Sequence, residues 1–514
     1  MLHAPRTLGD YWAGALSRNL DRPAVCDGAV ELSYRALRDA TARTMAALHA
    51  LGLRRGDGIA FLSSNRVEVA AVSIAAAMMG LRSTSLHPAG SEEDHRFVVA
   101  DAEVRALVVD DRVYAGRGMA VAAACGVMLL TLGPAGEGID IVAAAAAAAP
   151  APFRSHCQPG DIAAIGYTGG TTGRPKGAVH PQRSLVACML ASLAEWQWPE
   201  EIRYLAATPI SHVAGQLILP TLLRGGSVHL LPSFDPDAYL ATIARARITT
   251  AFAVPTMLYR LLETPALAHT DVRSLATFIY GAAPMSPARM GEALERFGPV
   301  FMQLYAQTEA PNTICALRKE DHDPARPDRL GSCGQPLGSV TVRLLDGELN
   351  EVAAGEPGEI CVRGPIVMDG YWQRPEETAA ALRGDWLHTG DIARADADGF
   401  ITIVDRAKDM IITGGFNVYP REVEDALDAH PSVARSAVIG VPDADWGERV
   451  VAFVIGRAPV HADQLIDHVR TRKGAVCAPK EVRLVETLPL TAVGKVDKKA
   501  LRGPEWAQME RMVS

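Results

Sequence analysis

Tyr167-Thr168-Gly169-Gly170-Thr171-Thr172-Gly173-Arg174-Pro175-Lys176-Gly177 follows an apolar run at 162–166. The glycines carry no side chains, so backbone N–H groups can turn toward an anion. Thr168, Thr171 and Thr172 add hydroxyls and Lys176 adds positive charge, a set suited to a polyphosphate. The competing Walker loop requires a Lys-Ser/Thr pair that opens a helix. Here Pro175 precedes the lysine and Gly177 follows it, so that assignment fails.

Outward from this loop, strands and helices alternate. Upstream, the apolar run 59–62 leads to a helical stretch at 66–80, and 106–109 reads as another strand, the βα rhythm of an α/β domain. Downstream, 248–254 and 278–280 are candidate buried strands. Between 340 and 404 the pattern shortens to strands broken by Gly/Pro turns, which predicts a small antiparallel sheet or barrel. Pro420 then opens a helix with Glu422 and Glu424 near its start, His430-Pro431 ends it, and strands follow at 436–441 and 449–455. A domain boundary is expected near Asp405, giving units of 1–404 and 405–514. The seven consecutive alanines at 143–149 read as a tolerated low-complexity helix.

The chain's 514 residues are too many for one hydrophobic core. With 48% hydrophobic and 21% charged residues it has the composition of a globular protein. A net charge of −8 gives no support to nucleic-acid or anionic-membrane binding, so anionic ligands depend on local groups. Eight cysteines without metal-ligand or disulfide spacing predict reduced thiols in a cytoplasmic protein. No basic-then-apolar leader is visible at the start, and the apolar run 69–81 is too short to span a bilayer.

Six further motifs accompany the phosphate loop, in this order: Pro209-Ile210-Ser211-His212-Val213-Ala214-Gly215, Gly281-Ala282-Ala283-Pro284, Tyr305-Ala306-Gln307-Thr308-Glu309, Leu387-His388-Thr389-Gly390-Asp391, Asp405-Arg406-Ala407-Lys408-Asp409 and Pro489-Leu490-Thr491-Ala492-Val493-Gly494-Lys495. The series resembles the adenylate-forming superfamily of acyl-CoA synthetases, aryl-CoA ligases, peptide-synthetase adenylation domains and luciferases. That resemblance implies a multidomain α/β fold: a large N-terminal domain of two α/β subdomains plus a small β-barrel, and a small α+β C-terminal domain that rotates about a hinge near Lys408. It implies an activity too. ATP, with Mg²⁺, adenylates a carboxylic acid, and the acyl group passes to coenzyme A, giving AMP and pyrophosphate.

The same resemblance distributes roles. Thr168, Gly169, Gly170, Thr171, Thr172, Gly173 and Lys176 would hold the phosphates. Gly281, Ala282 and Ala283 would belong to the ATP/AMP site, Tyr305 would stack on the adenine, and Asp391 with Arg406 would take the ribose. Thr308 offers a hydroxyl beside the phosphates, and the Glu309 carboxylate is the ligand a hard Mg²⁺ takes there. Lys495 is the residue expected to hold negative charge as pyrophosphate leaves. His212, Val213, Ala214, Tyr280, Leu304 and Ala306 would line the acyl pocket, while Lys408, Gly414 and Gly415 would belong to the thioester-forming face.

Some positions depart from the common pattern. Gly169 stands where serine is usual; Ala306 and Tyr280 narrow the expected pocket, and Ala214 opens it. The acid, fatty or aromatic, therefore stays open. So does an acyl-adenylating enzyme that loads a carrier protein, and so does a homodimer. No residue argues for a luciferase-like oxygenase, and a non-catalytic nucleotide binder would be expected to lose Lys495 or Glu309; both are present.

Overall fold

The computed structural model describes residues 6–168, 175–406, 409–413, 416–443, 446–490, 496–503 and 505, and of Arg406 and Asn417 the backbone alone. Two large sheets enclose a layer of helices. Helix Val67–Met79 shows why: its residues are apolar on nearly every face, so burial on all sides is its stable state. Gly80 ends it with φ 73°, a left-handed turn that glycine adopts without a side-chain clash. Helices Tyr34–Ala50 and Ile218–Leu223 share this layer, and their apolar side chains meet Ile59 and Phe61 of one sheet and Tyr204, Ile279 and Met302 of the other.

The first sheet has eight strands in the order Gly370–Tyr371, Lys176–Pro181, Ile162–Thr168, Arg82–Ser85, Gly58–Leu62, Val104–Val109, Met128–Thr131, Ile139–Asp140. The second has nine, in the order Gln335–Pro336, Ala310–Leu317, Phe301–Gln307, Thr277–Gly281, Thr250–Ala253, Arg203–Ala206, Ser227–Leu230, Pro23–Cys26, Glu31–Ser33. Both are parallel at the centre; the nine-stranded sheet is antiparallel at both edges, the eight-stranded one only at the edge that carries Lys176–Pro181 and Gly370–Tyr371. Outside the second sheet, helices Pro236–Ala246, Pro255–Glu263 and Pro287–Phe297 cover Phe278, Tyr280 and Phe301. The strands read at 59–62, 106–109, 248–254 and 278–280 all form. The first five residues of the alanine run lie in helix Ile141–Ala147, which ends at an extended Ala148 and in which the Val142 and Ala143 N–H groups donate to the Asp140 carboxylate at 2.9 Å.

A third sheet, Thr341–Leu345, Gly358–Arg363, Leu387–Ala395 and Ile401–Arg406, is antiparallel throughout. Of the small antiparallel sheet or barrel expected at 340–404, the described residues form a four-stranded sheet. The last sheet carries Val433–Asp443 and Gly447–Gly456, covered by helix Pro420–Asp428 through Val423 and Leu427. The chain is a multidomain α/β protein with a large N-terminal and a small C-terminal domain. No helix among the described residues is long and apolar enough to cross a membrane.

Candidate active site

Strands Arg203–Ala206, Thr250–Ala253, Thr277–Gly281 and Phe301–Gln307 are neighbours and parallel, so their C-terminal ends open on one edge of the sheet. That edge is where open α/β sheets hold ligands. It receives three of the sequence motifs: the loop leading to His212, the Gly281–Pro284 turn and the Tyr305–Glu309 segment. At Gly281 a Cβ would run into the backbone carbonyl of Leu304 on the next strand, which excludes any side chain. Ala282 follows with φ 66°, a left-handed conformation uncommon for a residue with a Cβ.

Thr308 and Glu309 form the tip of the hairpin between Phe301–Gln307 and Ala310–Leu317. Facing it is a bulge in strand Leu387–Ala395: Cys361 pairs with His388 and Glu359 with Ile392, so Thr389, Gly390 and Asp391 stand opposite the single residue Ile360. Gly390 permits this with φ 71°. The two features are tied by hydrogen bonds. Tyr305 Oη donates to Asp391 Oδ2 at 2.7 Å, and Gln307 Nε2 donates to the same oxygen at 2.6 Å and to the Thr389 carbonyl at 2.9 Å. Burial, then the neighbouring carboxylate, pushes the Tyr305 phenol well above its usual range, so it remains a donor. The Arg406 backbone pairs with Asp391 on the adjacent strand.

The strands that flank the glycine-rich motif, Ile162–Thr168 and Lys176–Pro181, pair antiparallel, Thr168 with Lys176. Gly169 to Gly173 lie outside the described residues, but the flanking strands meet the Thr308–Glu309 tip directly. A Cβ on Gly166 would touch the Thr308 methyl at 2.8 Å, and His180 Nε2 lies 2.7 Å from the Thr308 carbonyl. Burial lowers His180 to about 4, so at neutral pH it is an uncharged strut. Glu309 Oε1 accepts from Tyr371 Oη at 2.7 Å, and Lys176 Nζ sits 5.3 Å from the centre of the Tyr371 ring. No donor among the described residues reaches Glu309 Oε2. The Glu309 carboxylate and the Lys176 ammonium thus share the Tyr371 side chain as a neighbour, and with the adjacent Thr308 they make a donor set whose chemistry suits a cation-bridged phosphate.

His212 precedes the short helix Val213–Gln216 and stacks on His87, ring centres 5.0 Å apart. Burial lowers both imidazoles, His87 to about 4, so the pair is neutral at physiological pH. Val213 is half-buried, Ala214 fully buried with its carbonyl accepting from Tyr204 Oη at 3.1 Å, and Leu304 packs in the layer between the sheets. Ala306 lies beside Tyr305 on the half-buried end of its strand. Tyr280 is not brought to this group. It is fully buried on the opposite face of its strand, where its hydroxyl meets His322 Nε2 at 3.0 Å and Gln303 Oε1 at 3.3 Å. The period-2 alternation that sends Ile279 inward sends Tyr280 outward. Lys408, Gly414, Gly415 and Lys495, like the Arg406 side chain, lie outside the described residues.

Several residues escaped the sequence reading. Gln307 lies inside the Tyr305–Glu309 motif, between residues whose roles the resemblance implies. Tyr371 and His87 lie far along the chain from Glu309 and His212, and no local pattern marks them.

A family model of the AMP-binding enzyme matches residues 12–372, and one of the AMP-binding enzyme C-terminal domain matches 422–495. The chain belongs to this family of AMP-binding enzymes. It is similar to a medium/long-chain-fatty-acid–CoA ligase of Mycobacterium tuberculosis, with 42% identity covering 100% of this chain and 92% of the relative. It also resembles a feruloyl-CoA synthase of an Amycolatopsis species, 37% identical over 93% of this chain and 95% of that one. Among solved structures, an amide bond synthetase from Marinactinospora thermotolerans superposes with a TM-score of 0.89 at 35% identity, covering 96% of this chain and 99% of the other.

Proposed function

We propose that this protein is an ATP-dependent ligase that adenylates a carboxylic acid and transfers the acyl group to coenzyme A, releasing AMP and pyrophosphate. The observation that carries the reading is the meeting of the Tyr305–Gln307–Asp391 cluster with the strands that flank the phosphate loop at one sheet edge. A nucleoside and a polyphosphate need these two surfaces side by side. Relatives named as fatty-acid and feruloyl ligases support a fatty or aromatic acid as substrate.

In this reading Tyr305 and the Gly281–Ala283 turn flank the adenine, and Asp391 with Arg406 accepts the ribose. Lys176 and the Thr168–Gly173 loop cradle the phosphates, with the Thr308 hydroxyl beside them. Mg²⁺ bound at Glu309 would supply charge neutralisation on the phosphate oxygens. Carboxylate oxygen attacks the α-phosphate, and Lys495 holds both reactants as pyrophosphate departs. His212, uncharged beside His87, lines the acyl site with Val213, Ala214, Leu304 and Ala306; the buried position of Tyr280 favours a core role instead. The unit 405–514 then turns about Lys408, and the segment with Gly414 and Gly415 admits the thiol of coenzyme A. Free cysteines throughout the described residues support a reducing, cytoplasmic setting.

A pyrophosphate-release screen with ATP, Mg²⁺, CoA and a panel of fatty and aryl acids tests the reading. At least one acid is expected to give acid-dependent pyrophosphate and AMP in equal amounts. Release of ADP and phosphate with the best acid would overturn it.

A further inference from the structure

The Leu387–Asp391 motif contains a residue to which the functional reading assigns nothing. His388 is nearly enclosed, its side chain 8% exposed, and both ring nitrogens face acceptors. Nδ1 lies 2.7 Å from Glu359 Oε2, and Nε2 lies 3.2 Å from the Arg383 carbonyl. The other oxygen of the same carboxylate, Oε1, accepts the Gly390 N–H at 2.8 Å. Cys361 Sγ is 3.5 Å from Nδ1, and burial pushes that thiol up to about 12, so it packs there as a neutral group. One carboxylate thus grips the bulge at two successive points, His388 and Gly390. On the far side Thr389 Oγ1 donates to the Ile360 carbonyl at 2.7 Å and accepts the Asp391 N–H at 3.1 Å.

A left-handed glycine in a bulge has no ladder partner of its own to hold it, and the Asp391 carboxylate rides on it. We propose that Glu359 and His388 are positioning residues: together they fix the Gly390 bulge so that Asp391 faces Tyr305, Gln307 and the nucleotide. Neither touches the nucleotide; both act through Asp391. The inference rests on the nucleotide site proposed above.

Calorimetric titration of the full-length protein with ATP in the presence of Mg²⁺ tests it without knowledge of the acid. Glu359→Ala should weaken ATP binding about tenfold, within the range of coupling found inside one hydrogen-bond network. The same change in an Asp391→Ala background should cost nothing further, because the residue it positions is gone. Glu359→Gln should bind ATP within about twofold of the parent, since the amide can accept from Gly390 and donate to Nδ1 of His388. His388→Ala gives a second, independent reading should Glu359→Ala fail to fold: weaker ATP binding alone, no added loss with Asp391→Ala. Unchanged ATP binding in folded Glu359→Ala or His388→Ala overturns the proposal, and so does a loss that multiplies with that of Asp391→Ala. A parent protein that binds no ATP would instead overturn the functional reading.

Discussion

The two large sheets share a helical layer yet contribute to the site in different ways. The nine-stranded sheet delivers the His212, Gly281 and Tyr305 segments from the ends of parallel strands, so residues about a hundred positions apart converge without touching in sequence. The eight-stranded sheet contributes through antiparallel pieces added at its edge, the strands that flank the phosphate loop and the strand that carries Tyr371, and through His87 just beyond Arg82–Ser85. In the first, backbone geometry places the motifs. In the second, side chains reach across to them. Substitutions should therefore fail differently in the two regions.

The largest effect is expected outside both, where Lys495 carries the proposed charge in the first half-reaction. Lys495→Ala should slow adenylate formation by ~10²–10³, the cost of losing one preorganised electrostatic group. It should leave conversion of a supplied acyl-adenylate plus CoA to thioester near the parent rate. Quenched-flow measurement of both steps decides; equal slowing of the two would remove Lys495 from its role.

Next come two glycines, one in each sheet. Gly281→Val sets side-chain atoms against a backbone carbonyl that cannot yield, so thermal unfolding should show a loss of about 1–3 kcal/mol along with activity. Gly166→Ala meets only the Thr308 methyl, which can rotate, so stability should hold while ATP use falls. Matched stability losses in both would erase the distinction between backbone-placed and side-chain-placed halves.

These contrasts explain what is legible in the sequence. Contiguous motifs announce themselves because glycine, proline and acid spacing at a strand end carries the chemistry locally: Thr168 and Lys176 end paired strands, Tyr305–Glu309 reaches a hairpin tip and Leu387–Asp391 holds a bulge. The strand rhythm is legible for the same reason, since buried parallel strands read as short apolar runs. Tyr371 on Glu309, His87 on His212 and Glu359 on Gly390 are tertiary pairings, and nothing in their neighbours' spacing encodes them. Tyr280 shows the converse. Its place before the Gly281 turn suggests the site, but the face of its strand assigns it to the outer core.

A smaller effect is expected at the histidine stack. His87→Ala removes the ring that braces His212, which should raise the KM for the acid several-fold, on the scale of one aromatic contact of ~0.5–1.5 kcal/mol. The KM for ATP should stay constant. Steady-state kinetics with the best acid of the panel checks the split, and a shift in both constants would argue against a local brace.

The smallest concerns the C-terminal domain and depends on pH. Asp428, hydrogen-bonded by Ser436 Oγ at 2.7 Å and flanked by Arg421, Glu424 and Asp425, is pushed up to about 7, chiefly by burial. The folded chain then holds a proton there that the unfolded chain releases near pH 4, so this group's contribution to stability falls as pH rises from about 4 to 7. Asp428→Asn should be more stable than the parent at pH 8, with the gain shrinking as pH falls toward 5. Melting curves at the two pH values test the sign.

The proposed reaction at the sheet-edge cluster is transfer of an adenylyl group to a carboxylate. An acid labelled with ¹⁸O in both carboxylate oxygens follows the bonds directly. Attack on the α-phosphate leaves one carboxylate oxygen bridging acyl group and AMP, and expulsion by the thiol of coenzyme A releases that oxygen with AMP. Mass spectrometry should find AMP carrying one ¹⁸O, unlabelled pyrophosphate, and acyl-CoA retaining the other ¹⁸O. Label appearing in inorganic phosphate, with unlabelled nucleotide, would mean an acyl-phosphate route and contradict adenylyl transfer.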